Sequence, residues 1–245
     1  ARALASVARP TARPTSSMSA VEILVALYFG GILRYDPAQP RWPDRDRFIM
    51  SKGHAAPILY AVLAEAGYFP KEQLKTLRQL GSPLEGHPNM RRLPGVEAST
   101  GSLGQGLSIG LGHALAARLD GRSYHVYVLL GDGELEEGQV WEAAMAAAHR
   151  RVGNLVAIVD HNRYQQTTGV ATVTDPLTYP DKWRAFGWKV EEVDGHDLVA
   201  VHQALRFATA FEDGPFVIIA HTVKGKGVRF LEQDFTWHGR AVSRD

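Results

Sequence analysis

Residues 124–160 constrain this chain more tightly than any other stretch. YHVYVLL (124–130) is a β-branched and aromatic run of strand length that ends at Gly131-Asp132-Gly133. EGQVWEAAMAAAHR (137–150) has helical composition, and LVAIVD (155–160) is the next strand-like run. Strand, helix and strand in that order make one βαβ unit with parallel strands. The GDG turn and Asn162, which follows Asp132 by 30 residues, then fall at the carboxyl ends of neighbouring strands, where open α/β sheets bind ligands.

The residue types at those strand ends fit a metal-diphosphate clamp. Gly131 and Gly133 allow a sharp turn and a close approach of backbone to phosphate. Asp132 offers a hard anionic oxygen, Asn162 a neutral amide oxygen, and the backbone carbonyl of Tyr164 a third ligand. Magnesium wants six oxygens at roughly 2.1 Å and usually draws few of them from protein, so a small donor set suits Mg²⁺ (or Ca²⁺) carrying a diphosphate. A GDG alone is an ordinary tight turn; the strand–helix–strand context and the second ligand carry the metal reading.

Elsewhere, helical spacing covers 19–33, 57–67 and 198–211, and strand-like runs cover 187–195 and 215–222. This alternation predicts an α/β domain: a mostly parallel sheet with helices on both faces. At 245 residues the chain can bury one substantial core, so residues 1–245 read as a single domain. Gly106, Gly110 and Ala114, at four-residue spacing, predict a helix packed closely against another helix. The net charge of +1, with signs well mixed, implies no nucleic-acid partner, and the absence of cysteine excludes disulfide and thiol chemistry. The stretch 103–119 is too short and too polar to span a bilayer. The Arg- and Ser-rich start can mimic a transit peptide, but cytoplasm is the default expectation.

Together with SKGHAAPILYAVL (51–63), EGHPNMRRLPGVEASTGSLGQGLSIGLGHALA (85–116) and TVKGKGV…WHG (222–239), the GDGELEEGQVWEA segment (131–143) resembles the amino-terminal, diphosphate-binding half of the transketolase family, in the family's order. The resemblance implies the thiamine-diphosphate-binding fold and a thiamine diphosphate cofactor. It places His54 beside the diphosphate and the reacting carbon, and Gly101, Ser102 and Leu103 against the cofactor rings. Asp132, Asn162 and the Tyr164 carbonyl would hold the metal, with Gly133 against the diphosphate. Glu137 would join a carboxylate network between two active sites, and His87 and His238 would face substrate hydroxyls or move protons. Taken singly, each histidine reads more simply as a cap, turn or surface residue, and Glu137 as a favourable charge at a helix start.

In this family the cofactor supplies the carbanion chemistry and the protein supplies orientation and proton control. The glutamate that activates the cofactor belongs to a pyrimidine-binding domain with no counterpart in this sequence. The resemblance therefore implies a split transferase, active only with a separate pyrimidine-binding subunit, in an α2β2 heterotetramer passing a two-carbon ketol unit from a ketose-type donor to an aldehyde-type acceptor.

One segment departs from the family. TARPTSSMS (11–19) places Arg13 where the family carries a histidine that touches the donor sugar. Arginine is a permanent cation with a planar donor fork suited to carboxylate or phosphate, not a proton shuttle. Either Arg13 recruits an anionic donor, which favours a 2-oxo-acid-using relative that decarboxylates its donor, or it points to solvent. A non-catalytic structural role is the third reading, disfavoured by the intact Asp132, Asn162 and His54. A nicotinamide-binding reading of GSLGQG (101–106) fails, because no convincing strand precedes it and the second glycine is missing.

Overall fold

The computed structural model of the chain describes residues 15–238. Among them five strands form one sheet: β1 (Arg47–Met50), β2 (Val126–Gly131), β3 (Leu155–His161), β4 (Lys189–Asp194) and β5 (Phe216–His221). Their spatial order is β1-β2-β3-β5-β4, and every pairing is parallel. The predicted βαβ unit is there: Gly131 pairs with Asp160 in register, and helix α5 (Gly138–His149) connects β2 to β3.

Alternation along the strands sorts side chains to two faces. After a short first helix, α1 (Thr15–Met18), the side chains of Tyr127, Leu129, Val156, Ile158, Phe216 and Ile218 pack into one core with helices α2 (Val21–Phe29), α3 (Ala56–Glu65) and α7 (Leu198–Ala210). Val126, Val128, Leu130, Ala157, Val159, Val217 and Ile219 pack into a second core with α4 (Gln105–Leu119), α5 and α6 (Tyr179–Ala185). A strand covered on both sides reads as a continuous apolar run, which is why β2, β3 and β5 stand out in the sequence. β4 lies at the sheet edge, partly exposed, and its KVEEVD sequence carries the charges that discourage further pairing. β1 escapes the sequence pattern: four residues, RFIM, are too short to show a period.

The small residues of α4 face differently from the expectation. A Cβ on Gly110 would lie 2.5 Å from Val128 Cγ2, and one on Gly106 would lie 2.3 Å from Ser51 Oγ. This glycine face lets α4 settle onto the end of β1 and onto β2, while α4 also packs along the neighbouring helix α5 as expected. Among the described residues no helix is long and apolar enough to cross a membrane.

Candidate active site

Because the strands are parallel, their carboxyl ends share one rim, and the loops leaving β1, β2, β3 and β5 enclose a cavity of about 290 Å³. The loop after β1 brings Lys52 and His54; the long connection to α4 brings His87, Gly101 and Leu103. The turn after β2 supplies Gly131 to Gly133 with Glu134, Glu136 and Glu137. Asn162 and Tyr164 come from the end of β3, and Lys224 and His238 from the segment after β5. Ser102 is exposed and does not line the cavity, although its neighbours on both sides do. Arg13 lies outside the described residues.

The two metal-candidate loops are tied directly to each other. Asp132 Oδ1 accepts from the Gly133 N–H at 2.9 Å, and Oδ2 accepts from the backbone N–H of Arg163, the residue next to Asn162. Arg163 takes φ +67°, a left-handed conformation that costs a non-glycine residue about 1–2 kcal/mol. Asn162 Oδ1 caps the same turn by accepting from Tyr164 N–H at 3.1 Å. Behind them, Tyr179 donates its hydroxyl to the Asp132 carbonyl at 3.2 Å. Gly133 owes its place to this junction: its φ is not left-handed, but a Cβ there would come 2.8 Å from Gln165 Cβ.

The site is charged, and its charges are deeply buried. Asp132 is 1% exposed, and burial, followed by the nearby Asp160 carboxylate, pushes its carboxyl up to about 7. Asp160 is better compensated. Burial works against its charge, but Lys52, Ser19 and Thr222 all donate to it and hold it below the usual carboxylate range. Lys224 is buried too; burial, then repulsion from Lys52, pushes its ammonium down to about 8. Its Nζ lies 2.9 Å from His238 Nδ1, within hydrogen-bond distance, and as an ammonium it donates there. The His238 ring lies 4.9 Å from that of His54. His87 packs on Gly101, where a Cβ would come 3.2 Å from its ring.

These residues suit a magnesium diphosphate. Asp132 takes hydrogen bonds from backbone amides, and among the described residues no lysine, arginine or histidine forms an ion pair with it. A buried carboxylate in that state is stabilised by a cation. Among the described residues no three His, Cys, Asp or Glu side chains form a metal cage, but one carboxylate, one amide and one carbonyl match an ion that keeps most ligands for phosphate and water. Ser16, on the cavity wall, is 2% exposed, and its hydroxyl has no hydrogen-bond partner among the described residues. With Lys52 and Lys224 it offers donors to an anionic ligand.

Four residues on this rim escape a reading of the sequence: Ser16, Lys52, Glu134 and Lys224. Lys52, Glu134 and Lys224 lie inside segments that carry the family resemblance and Ser16 inside the one that departs from it, yet serine, lysine and glutamate are common surface residues. What marks them is burial, which sequence spacing does not show.

The sequence matches the family profile described as "Transketolase, thiamine diphosphate binding domain" over residues 3–245. It is 44% identical over 230 residues to the 6-deoxy-6-sulfo-D-fructose transketolase subunit SqwG of Clostridium sp. (strain MSTE9), covering 94% of this chain and 83% of that protein. It is 43% identical over 221 residues to an apulose-4-phosphate transketolase subunit of Phocaeicola vulgatus, covering 90% of this chain and 78% of that protein. Among solved structures, transketolase from Leishmania mexicana superposes with a TM-score of 0.90 at 32% identity, over 99% of this chain but 38% of that one. With a family profile spanning nearly its whole length, and a fold that superposes closely on a solved member, the chain belongs to the transketolase family of transferases, in its thiamine diphosphate binding domain.

Proposed function

We propose that this chain is the diphosphate-binding subunit of a thiamine-diphosphate- and Mg²⁺-dependent transketolase that moves a two-carbon ketol unit from a ketose-type donor to an aldehyde-type acceptor. Its partner is a separate pyrimidine-binding subunit, and two copies of each make the working α2β2 assembly. Support for the split arrangement comes from two relatives that are themselves named as subunits and are covered over most of their length. The observation that carries the cofactor reading is Asp132: a buried carboxylate without an ion-pair partner among the described residues, on a cavity wall shared with Asn162 and Tyr164.

In this reading Asp132, Asn162 and the Tyr164 carbonyl hold the metal, and Gly133 lies along the diphosphate. Ser16, Lys52 and Lys224 add donors and positive charge for the phosphate oxygens. Bound thiamine diphosphate supplies the carbanion equivalent that carries a two-carbon fragment. His54, His87 and His238 hold the donor's hydroxyls and carbonyl, with Lys224 against Nδ1 of the His238 ring. Gly101 and Leu103 wall off the cofactor rings from water, and Glu137, exposed at the start of α5, reaches toward the neighbouring subunit. A ketose donor is favoured over a 2-oxo acid because both subunit relatives are named for ketoses, whereas the 2-oxo-acid reading rests on Arg13 alone.

The test is calorimetric titration of thiamine diphosphate, with and without Mg²⁺, into the chain together with its copurifying partner. Binding should require Mg²⁺ and vanish in Asp132→Ala. Unchanged affinity in that variant refutes the metal assignment. Turnover of ketose phosphate or sulfonate but not of pyruvate supports the ketose reading, and the reverse overturns it.

A further inference from the structure

We propose that Glu134 is a positioning residue that locks together the loops forming the cofactor cavity; its consequence for cofactor binding rests on the function proposed above. Glu134 follows the GDG turn, is 2% exposed, and forms no ion pair among the described residues. Its carboxylate accepts from donors on separate segments of the rim. Oε1 takes the Gly104 N–H at 2.9 Å and the Ser51 hydroxyl, and Oε2 takes the Gly131 N–H at 3.0 Å. Ser51 Oγ in turn accepts from Gly106 N–H at 3.2 Å, so its own hydrogen is committed to Glu134. One side chain thereby joins the exit of β1, the exit of β2 and the entry to α4.

The loop before α4 is the one most in need of such a tie. Gly104 sits at φ +81°, and a Cβ there would lie 2.7 Å from Glu137 Cβ, so its backbone is pressed between two glutamates. Three residues back, Gly101 carries the surface on which His87 packs. Only a carboxylate offers two oxygens that both accept and neither donate. Glutamine at 134 keeps the size but turns an NH₂ group toward the Gly131 or Gly104 N–H, or toward the Ser51 hydroxyl. The interactions lost are charge-assisted hydrogen bonds in a buried place, where a dangling donor is costly.

The experiment is residue-resolved amide hydrogen exchange on the full chain with its copurifying partner, free of cofactor, for wild type, Glu134→Gln and Ser51→Ala. Glu134→Gln should speed exchange at Gly104 and Gly131 roughly ten- to hundredfold, with the β5 amides of Val217 and Ile218 unchanged. Ser51→Ala, the gentler change, should speed Gly106 and Gly104 by a smaller factor, and it decides the matter if Glu134→Gln does not fold. Thiamine diphosphate with Mg²⁺ should bind at least about tenfold more weakly to Glu134→Gln. Unchanged exchange at Gly104 and Gly131, or a uniform increase across the sheet, overturns the proposal. If the wild type binds no thiamine diphosphate, the functional reading fails while the exchange result still judges the tie.

Discussion

Replacing Lys52 by Met should unmask the cost of burying Asp160. The pair is enclosed, with side-chain exposures of 2% and 0%, and Asp160 depends on Lys52 plus the hydroxyls of Ser19 and Thr222. Methionine preserves most of the stem volume, so the loss is the ammonium and its hydrogen bond to the Ser16 carbonyl at 3.0 Å. Breaking a buried pair from one side costs about 3–5 kcal/mol, because the remaining charge keeps its desolvation penalty. For a chain of 245 residues that corresponds to a fall in Tm of roughly 6–10 °C.

The pH dependence has a definite sign. In the wild type the folded-state carboxyl of Asp160 lies below the ordinary value, so its contribution is present above the unfolded pKa and lost as pH falls through the folded one. Without Lys52 burial dominates and the folded carboxyl lies above the unfolded value, so the variant loses stability as pH rises from about 4. The gap between the two proteins should therefore be narrow in acid and full at neutral pH. Chemical denaturation of the cofactor-free chain from pH 4 to 8 measures it. Adding Asp160→Asn to Lys52→Met removes the stranded charge and should recover part of the loss. A penalty below about 1 kcal/mol at neutral pH, a pH-independent penalty, or a double variant worse than the single would refute the reasoning.

Other expectations follow from the same rim. Gly104→Ala forces a side chain into a left-handed position against Glu137 and should cost about 2 kcal/mol, read as a lowered denaturation midpoint. Lys224→Met should raise the Tm of the cofactor-free chain yet weaken thiamine diphosphate binding. The ammonium is held down at about 8 against 10.5 unfolded, so its penalty is full below pH 8 and gone above 10.5, and the stability advantage of the variant should shrink over that window. An advantage constant with pH would show that Lys224 is not penalised as a buried charge. Asp132→Ala should abolish Mg²⁺-dependent cofactor binding by calorimetry, and it should loosen the junction of the two loops, because the Gly133 and Arg163 N–H groups lose their acceptor.

The expected βαβ unit formed because its signal is local: an apolar run covered on both faces is visible without knowing its partners. The helix read over 19–33 runs over Val21–Phe29, because Gly30 and Gly31 end it sooner than the apolar pattern does. The spacing of Gly106, Gly110 and Ala114 showed that α4 packs closely but not against what; a glycine stripe suits a sheet as well as a helix. Ser102 illustrates the limit of a motif. Its neighbours Gly101 and Leu103 line the cavity, while Ser102 between them is exposed.

The class of fold, the strand-end address of the cavity, and the donor types at Asp132 and Asn162 were all legible in the chain before it folds, since they depend on periodicity and on the chemistry of single residues. Folding in three dimensions settled which charges are compensated. Lys52 and Asp160, or Ser51 and Glu134, are separated by 108 and 83 residues, and nothing in either neighbourhood specifies the other. Burial turns such ordinary side chains into strong interactions, because an unpaired charge removed from water is costly and a paired one is held in place. Parallel strands bring those distant residues to one rim, and there the choice of partner is made.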